Sequence, residues 1–158
     1  MSELEEKEIL SNKMIVFWLT VIIGIGLVIR FFYFPSGIPI ATDGYLSFVY
    51  AIRTVFDGGM PEGLTVVNSG WSNFLSFIFI FFEKTDPLQL MDIQRTTSII
   101  ISAVTGIPIF FILKRFVDMK WALFGSFLLV IEPRLVILSL EGINYTLFFF
   151  LFSLSIVL

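Results

Sequence analysis

The apolar residues of this chain fall into long runs separated by short polar breaks. The first run, MIVFWLTVIIGIGLVIRFFYF at positions 14–34, is long enough to cross a bilayer core, which takes roughly 20 apolar residues. Pro35, Gly37 and Pro39 follow it and stop the helix. Three later runs read as further spans: TTSIIISAVTGIPIFFIL at 96–113, the stretch 121–140, and NYTLFFFLFSLSIVL at 144–158. Pro108 is placed to kink the second span, and Glu132, Pro133 and Arg134 interrupt the third.

Between the first and second runs the pattern changes. From Asp43 the apolar residues fall at Tyr45, Phe48, Val49, Ile52, Val55 and Phe56, which is helical spacing on one face. Thr42 or Asp43 is placed as the N-cap and Gly58-Gly59 as the stop. Such an amphipathic helix, over 43–57, suits the membrane surface better than its interior. The stretch 64–82 opens with Asn68, Ser69, Gly70, Ser72 and Asn73, and its clean apolar run, Phe74 to Phe82, is too short to span. It predicts a second surface helix over about 71–83, closed by Glu83, Lys84, Asp86 and Pro87. The fold class that follows is all-α: a polytopic transmembrane helical protein with two juxtamembrane surface helices in its first outer loop.

Composition agrees. Of the 158 residues, 57% are hydrophobic and only 15% charged, against about 25% charged in soluble domains. The mean hydropathy is +0.96. There is no cysteine and no histidine, which excludes disulfides, thiolate chemistry, Cys/His zinc sites and a histidine general base. A net charge of -3 gives no sign of nucleic-acid binding. The opening Glu3, Glu5, Glu6 and Glu8, against Lys7 and Lys13, is unlike the basic start of a secretory signal. Residues 1–13 therefore read as a polar tail and 14–34 as a retained span. The densest basic loop, Lys114, Arg115 and Lys120 against Asp118, belongs in the cytoplasm. That places the N-terminus inside, and 35–95 and the Arg134–Glu141 region outside, in a multi-pass protein of the cell membrane.

With His and Cys absent, chemistry falls to Asp, Glu, Lys, Arg and Tyr. Asp43, just after the first span, is either a general base at the outer face or a plain helix cap. Glu132, Arg134 and Glu141 are ionisable residues within or beside apolar runs, where such groups are functional candidates unless they lie at a helix end in water. Arg30, near the end of the first span, is placed to snorkel to the headgroups. Arg53, Arg95 and Lys84 are candidates to meet a lipid phosphate. Trp18, Trp71 and Trp121 suit interfacial anchoring, and Asn144-Tyr145-Thr146 matches a glycosylation sequon at a membrane boundary.

Three segments in order carry a resemblance. They are PIATDGYLSFVYAIRTVFDGG after the leading span, NSGWSNFLSFIFIFFEKTDPLQLMDIQR, and ILKRFVDMKWALFGSFLLVIEPRLVILSLEGINYTLFFFLFSL. Over roughly 14–158 this order resembles the N-terminal part of the GT-C superfamily of membrane glycosyltransferases, especially its protein O-mannosyltransferase-like and aminoarabinose transferase-like branch. The resemblance implies an inverting transferase that takes a sugar from a polyprenyl-phosphate donor, with membrane lipid as its surroundings. Asp43 matches the acid of the first outer loop, although Gly44 stands where an acidic pair is usual. The acid of the second outer loop falls near Asn144, and Glu141, three residues earlier, would substitute. Arg134 or Arg53 would stabilise the leaving phosphate, and a divalent metal is left open. Such enzymes carry more spans than this chain, and Leu158 ends inside an apolar run, so the expectation is a fragment or a shortened paralogue. The competing readings are a non-catalytic membrane subunit or scaffold, and a transporter fragment with Glu132 and Arg134 lining a pathway.

Overall fold

The computed structural model describes residues 3–40, 42–59, 69–82 and 86–158. The described residues are helical, with no strand among them. The opening of the 64–82 stretch (64–68), Glu83 and Lys84 lie outside them.

Helix α1, Glu3–Phe32, runs unbroken from the acidic opening through the first apolar run. Its apolar part, Asn12–Phe32, and the helical stretch Pro87–Leu113 are each long and apolar enough to cross a membrane. The second of these starts at Pro87 rather than at 96. Its start is built locally: Asp86 accepts from the Leu88 amide at 3.0 Å, and Pro87 fills a first-turn position where no amide is needed. The stretch divides into α4, Pro87–Val104, and α5, Gly106–Leu113, at Thr105. Pro108 accounts for the division, because it has no N–H for the Val104 carbonyl and its ring crowds that oxygen.

The run expected as one span over 121–140 is two helices, α6 (Met119–Val130) and α7 (Pro133–Leu140), bent by 47° at the break between them. Pro133 cannot donate to the preceding turn. Glu132 restarts the helix by accepting from the Leu135 amide at 2.7 Å. The pair passes as a third crossing only if the bent helices count as one. A further apolar helix, α8, covers Tyr145–Val157.

The helices assemble with alternating direction. At one end of the bundle, Ile15 and Leu19 of α1 pack on Phe110 and Ala122. There too Arg115 donates to the Ile156 and Val157 carbonyls at the close of α8, the first at 3.0 Å. The basic loop after α5 and the start of the apolar part of α1 therefore share an end. The 33–40 loop and the 141–144 turn lie at the other. There α2 (Thr42–Phe56) and α3 (Ser69–Phe79, extended by a 3-10 turn Ile80–Phe82) pair as a hairpin. Phe48 and Ala51 of α2 meet Trp71, Leu75 and Phe79 of α3, over Ile40, Leu90 and Met91. Gly58, at φ 68°, supplies the left-handed residue that closes α2.

Arg30 does not snorkel. It is fully buried and joins four helices. Its guanidinium donates to Gly26 O (3.0 Å), Val130 O (2.9 Å), Ser102 Oγ (2.9 Å) and Ser139 Oγ (3.1 Å). Small residues make room for this crossing. A methyl group on Gly26 would overlap Val130 Cγ1, and one on Gly106 would come within 2.7 Å of Val130 Cγ2. Arg30→Lys keeps the charge but brings three donors to four acceptors. It should lower stability by about 1–3 kcal/mol, read as a lower thermal unfolding midpoint in mild detergent. An unchanged midpoint would contradict the four-way bonding.

Candidate functional site

Of the three acidic candidates in the sequence, Asp43 and Glu141 lie on segments that come into contact. Asp43 is exposed in the first turn of α2, and Glu141 is exposed where α7 ends. Gly44 is the point of approach: a Cβ there would sit 2.6 Å from the Glu141 carbonyl oxygen and 2.6 Å from Ile40. Any side chain would push the α2 turn away from the end of α7. The Gly44 that breaks the expected acidic pair is thus the residue that lets the two segments touch. Gly142 turns the chain next to Glu141 with φ 66°, a conformation glycine adopts at no steric cost.

A buried amide holds this junction. Gln94, on α4, is fully buried, and its Nε2 donates to Gly44 O at 3.0 Å and to Gly142 O at 2.7 Å. Trp71 Nε1 donates to the same Gly142 oxygen at 3.0 Å. The orientation of the Gln94 amide follows from these partners, since the flipped form would set its oxygen against two carbonyls. Gln94 Oε1 has no hydrogen-bond partner among the described residues. One residue further, Arg95 ties down the loop that leads to α2. It donates to Ile38 O (2.6 Å), Pro35 O (3.3 Å) and Leu140 O (3.1 Å), and pairs with Asp92 at 3.2 Å. Asp92 in turn accepts from the Gly37 amide at 3.2 Å and from Ser36 Oγ at 3.3 Å.

The other sequence candidates lie elsewhere. Thr42 and Asp43 are both inside α2, so neither is its N-cap, and the preceding position, 41, is outside the described residues. Arg53 is exposed, about 15 Å further along α2 at 1.5 Å per residue. Arg134 is exposed at the start of α7, about 10 Å along the axis from Glu141 by the same measure. Neither is in a salt bridge among the described residues. Glu132 is the cap of α7. Arg95 is committed to loop carbonyls rather than to lipid. Trp71 is 2% exposed, a core residue and not an interfacial anchor, whereas Trp18 and Trp121 are exposed. The sequon threonine, Thr146, is buried against Ser98, with their hydroxyls 2.9 Å apart.

Sequence reasoning missed Gln94 and Gly142. The available signal was slight: a glutamine at the head of an apolar run and a glycine directly after the candidate acid. An apolar groove of about 420 Å³ opens beside the junction, lined by Gly70, Trp71, Asn144, Tyr145, Leu147 and Phe148 among others. Among the described residues no three of Asp and Glu gather as a metal site. A divalent ion at the Asp43–Glu141 junction would draw its remaining oxygen ligands from carbonyls, water or substrate.

No protein-family model, curated protein or solved structure matches this chain.

Gly44→Ala tests the junction. The added methyl group overpacks against backbone and should cost about 1–3 kcal/mol. Hydrogen exchange should quicken at 141–144 and in the first turn of α2, with the inner half of α1 unchanged. Unaltered exchange at 141–144 would show that the approach is not tight.

Proposed function

We propose that this chain is the N-terminal portion of a GT-C-like membrane glycosyltransferase, moving a sugar from a polyprenyl-phosphate donor to an acceptor on the outer face. The observation that carries this reading is the contact of Gly44 with Glu141. It brings the two backbone segments that carry Asp43 and Glu141 together at one end of a helical bundle, beside an apolar groove. Both acids are exposed, so an acceptor hydroxyl can reach them. In this reading the hydroxyl oxygen attacks the anomeric carbon and its proton passes to Asp43. The bond from that carbon to the phosphate oxygen breaks with inversion, and the phosphate leaves with the electron pair. Glu141 orients the acceptor. Arg134, nearer to the junction than Arg53, meets the leaving phosphate. The groove from Trp71 and Asn144 to Leu151 takes part of the isoprenoid chain.

The membrane arrangement belongs to the same proposal. The basic loop and the N-terminus, which share one end of the bundle, lie on the cytoplasmic side. The α2–α3 hairpin lies at the outer headgroups. The outward face of α3 supports that placement. Phe77, Ile80 and Phe81 are exposed, on the side away from buried Trp71, Leu75 and Phe79.

The scaffold reading has one observation in its favour: Gln94, Arg95 and Trp71 are all committed to backbone carbonyls, as a purely structural joint would have them. The transporter reading loses its mid-depth acid, because Glu132 is engaged as a helix cap.

The two leading readings separate on Asp43→Asn, assayed for sugar transfer in membranes that carry the complete reading frame. Loss of the base should lower the rate about 100-fold or more while leaving protein abundance unchanged. Full activity would remove Asp43 from the chemistry and leave the scaffold reading standing.

A further inference from the structure

Arg30 carries a full positive charge into the interior with no carboxylate beside it among the described residues. It is 0% exposed, and its four acceptors are two carbonyls and two serine hydroxyls, all neutral. Among the described residues the one salt bridge joins Arg95 to Asp92, at the end of the bundle. Neutral oxygens satisfy the N–H groups but do not cancel the charge, and a buried charge in apolar surroundings favours an anion nearby.

One of the four acceptors faces a cavity. Ser102 lines a space of about 260 Å³ among α4, α6, α7 and α8, walled by Leu129, Leu135, Leu138 and Phe149. Ser102 Oγ accepts a hydrogen bond from Arg30 Nη2. Among the described residues its own hydroxyl proton has no acceptor. The two threonines in the same wall differ: Thr105 donates to Ile101 O at 2.8 Å and Thr146 to Ile143 O at 3.2 Å. A hydroxyl that accepts from a guanidinium becomes a stronger donor. Ser102 is therefore a donor polarised by a cation, 7% exposed, in the wall of a space lined mainly by leucine and aromatic side chains. Tyr145 and Phe148, which also line it, are 56% and 66% exposed.

We propose that this cavity binds a single-chain amphiphile with an anionic head, the head on Ser102 with Arg30 behind it and the chain along the leucine and phenylalanine wall. The cavity shares Tyr145 and Phe148 with the groove beside the Gly44–Glu141 junction, but Ser102 and Arg30 belong to neither groove nor junction, and the proposal does not rest on the transferase reading. Carboxylate and phosphate heads offer the same oxyanion chemistry to Ser102.

The test uses the purified chain in a neutral maltoside detergent. Its thermal unfolding midpoint is measured with dodecyl phosphate, with laurate and with dodecanol at equal mole fraction. At least one anionic amphiphile should raise the midpoint by about 5 °C or more near saturation, well above any rise with dodecanol. The larger of the two anionic shifts tells a lipid phosphate from a fatty acid. Ser102→Ala, which removes the donor, and Leu138→Trp, which fills the cavity without touching the Arg30 bonds, should each abolish the excess over dodecanol. If Ser102→Ala does not fold, Leu138→Trp decides. An equal shift with dodecanol, no shift with either anion, or an excess that survives either variant would overturn the proposal.

Discussion

Every break in these helices leaves carbonyl oxygens without an N–H partner, and in apolar surroundings no water supplies one. Four long side chains of the bundle, with Trp71, donate to such oxygens. Arg30 reaches the Val130 carbonyl where α6 stops before Pro133. Arg95 serves the loop carbonyls of Pro35 and Ile38 and the Leu140 carbonyl at the end of α7. Gln94 and Trp71 meet at the Gly142 carbonyl, and Arg115 donates to the Ile156 and Val157 carbonyls. These donors act on backbone, and the breaks become fixed joints. The 33–40 loop, the first turn of α2 and the end of α7 are thereby drawn to one place.

Much of the architecture was open to sequence reasoning because Pro and Gly act locally. The stop after α1 at Pro35, the close of α2 at Gly58 and the break at Pro133 follow from residues that cannot continue a helix. The amphipathic spacing from Tyr45 to Phe56 placed α2 to within a residue at each end. What escaped depends on partners distant in the chain. Nothing near Arg30 announces that Ser102, Val130 and Ser139 will surround it, so the local rule of snorkelling gave the wrong side. Trp71 looked interfacial because its acceptor, Gly142, is 71 positions away. The start of α4 at Pro87 was hidden by Gln89, Asp92, Gln94 and Arg95, which dilute the apolar pattern over its first turns.

The candidate site divides in the same way. Asp43 and Glu141 were chosen for residue type and for position beside apolar runs, and the fold brings their segments into contact. The reason lies in two glycines: Gly44 permits the approach and Gly142 makes the turn. The proposed cations, Arg53 and Arg134, stand well along their helices from that contact. Any phosphate they hold lies to one side of the acids rather than between them. In the proposed transferase, sugar transfer would take place at the joint and the lipid phosphate would lie along α7. The joint exists for backbone reasons whether or not it does chemistry.

The central claim is that side chains serving unpaired carbonyls hold the start of α2 against the end of α7. The chain has no native cysteine, so paired cysteines report on this directly. With cysteines replacing Asp43 and Glu141, a short bifunctional maleimide should cross-link the folded protein efficiently. The pair replacing Arg53 and Glu141, with the first site about 15 Å further along α2, should not link. Equal linking of the two pairs, or none at 43 and 141, would contradict the account.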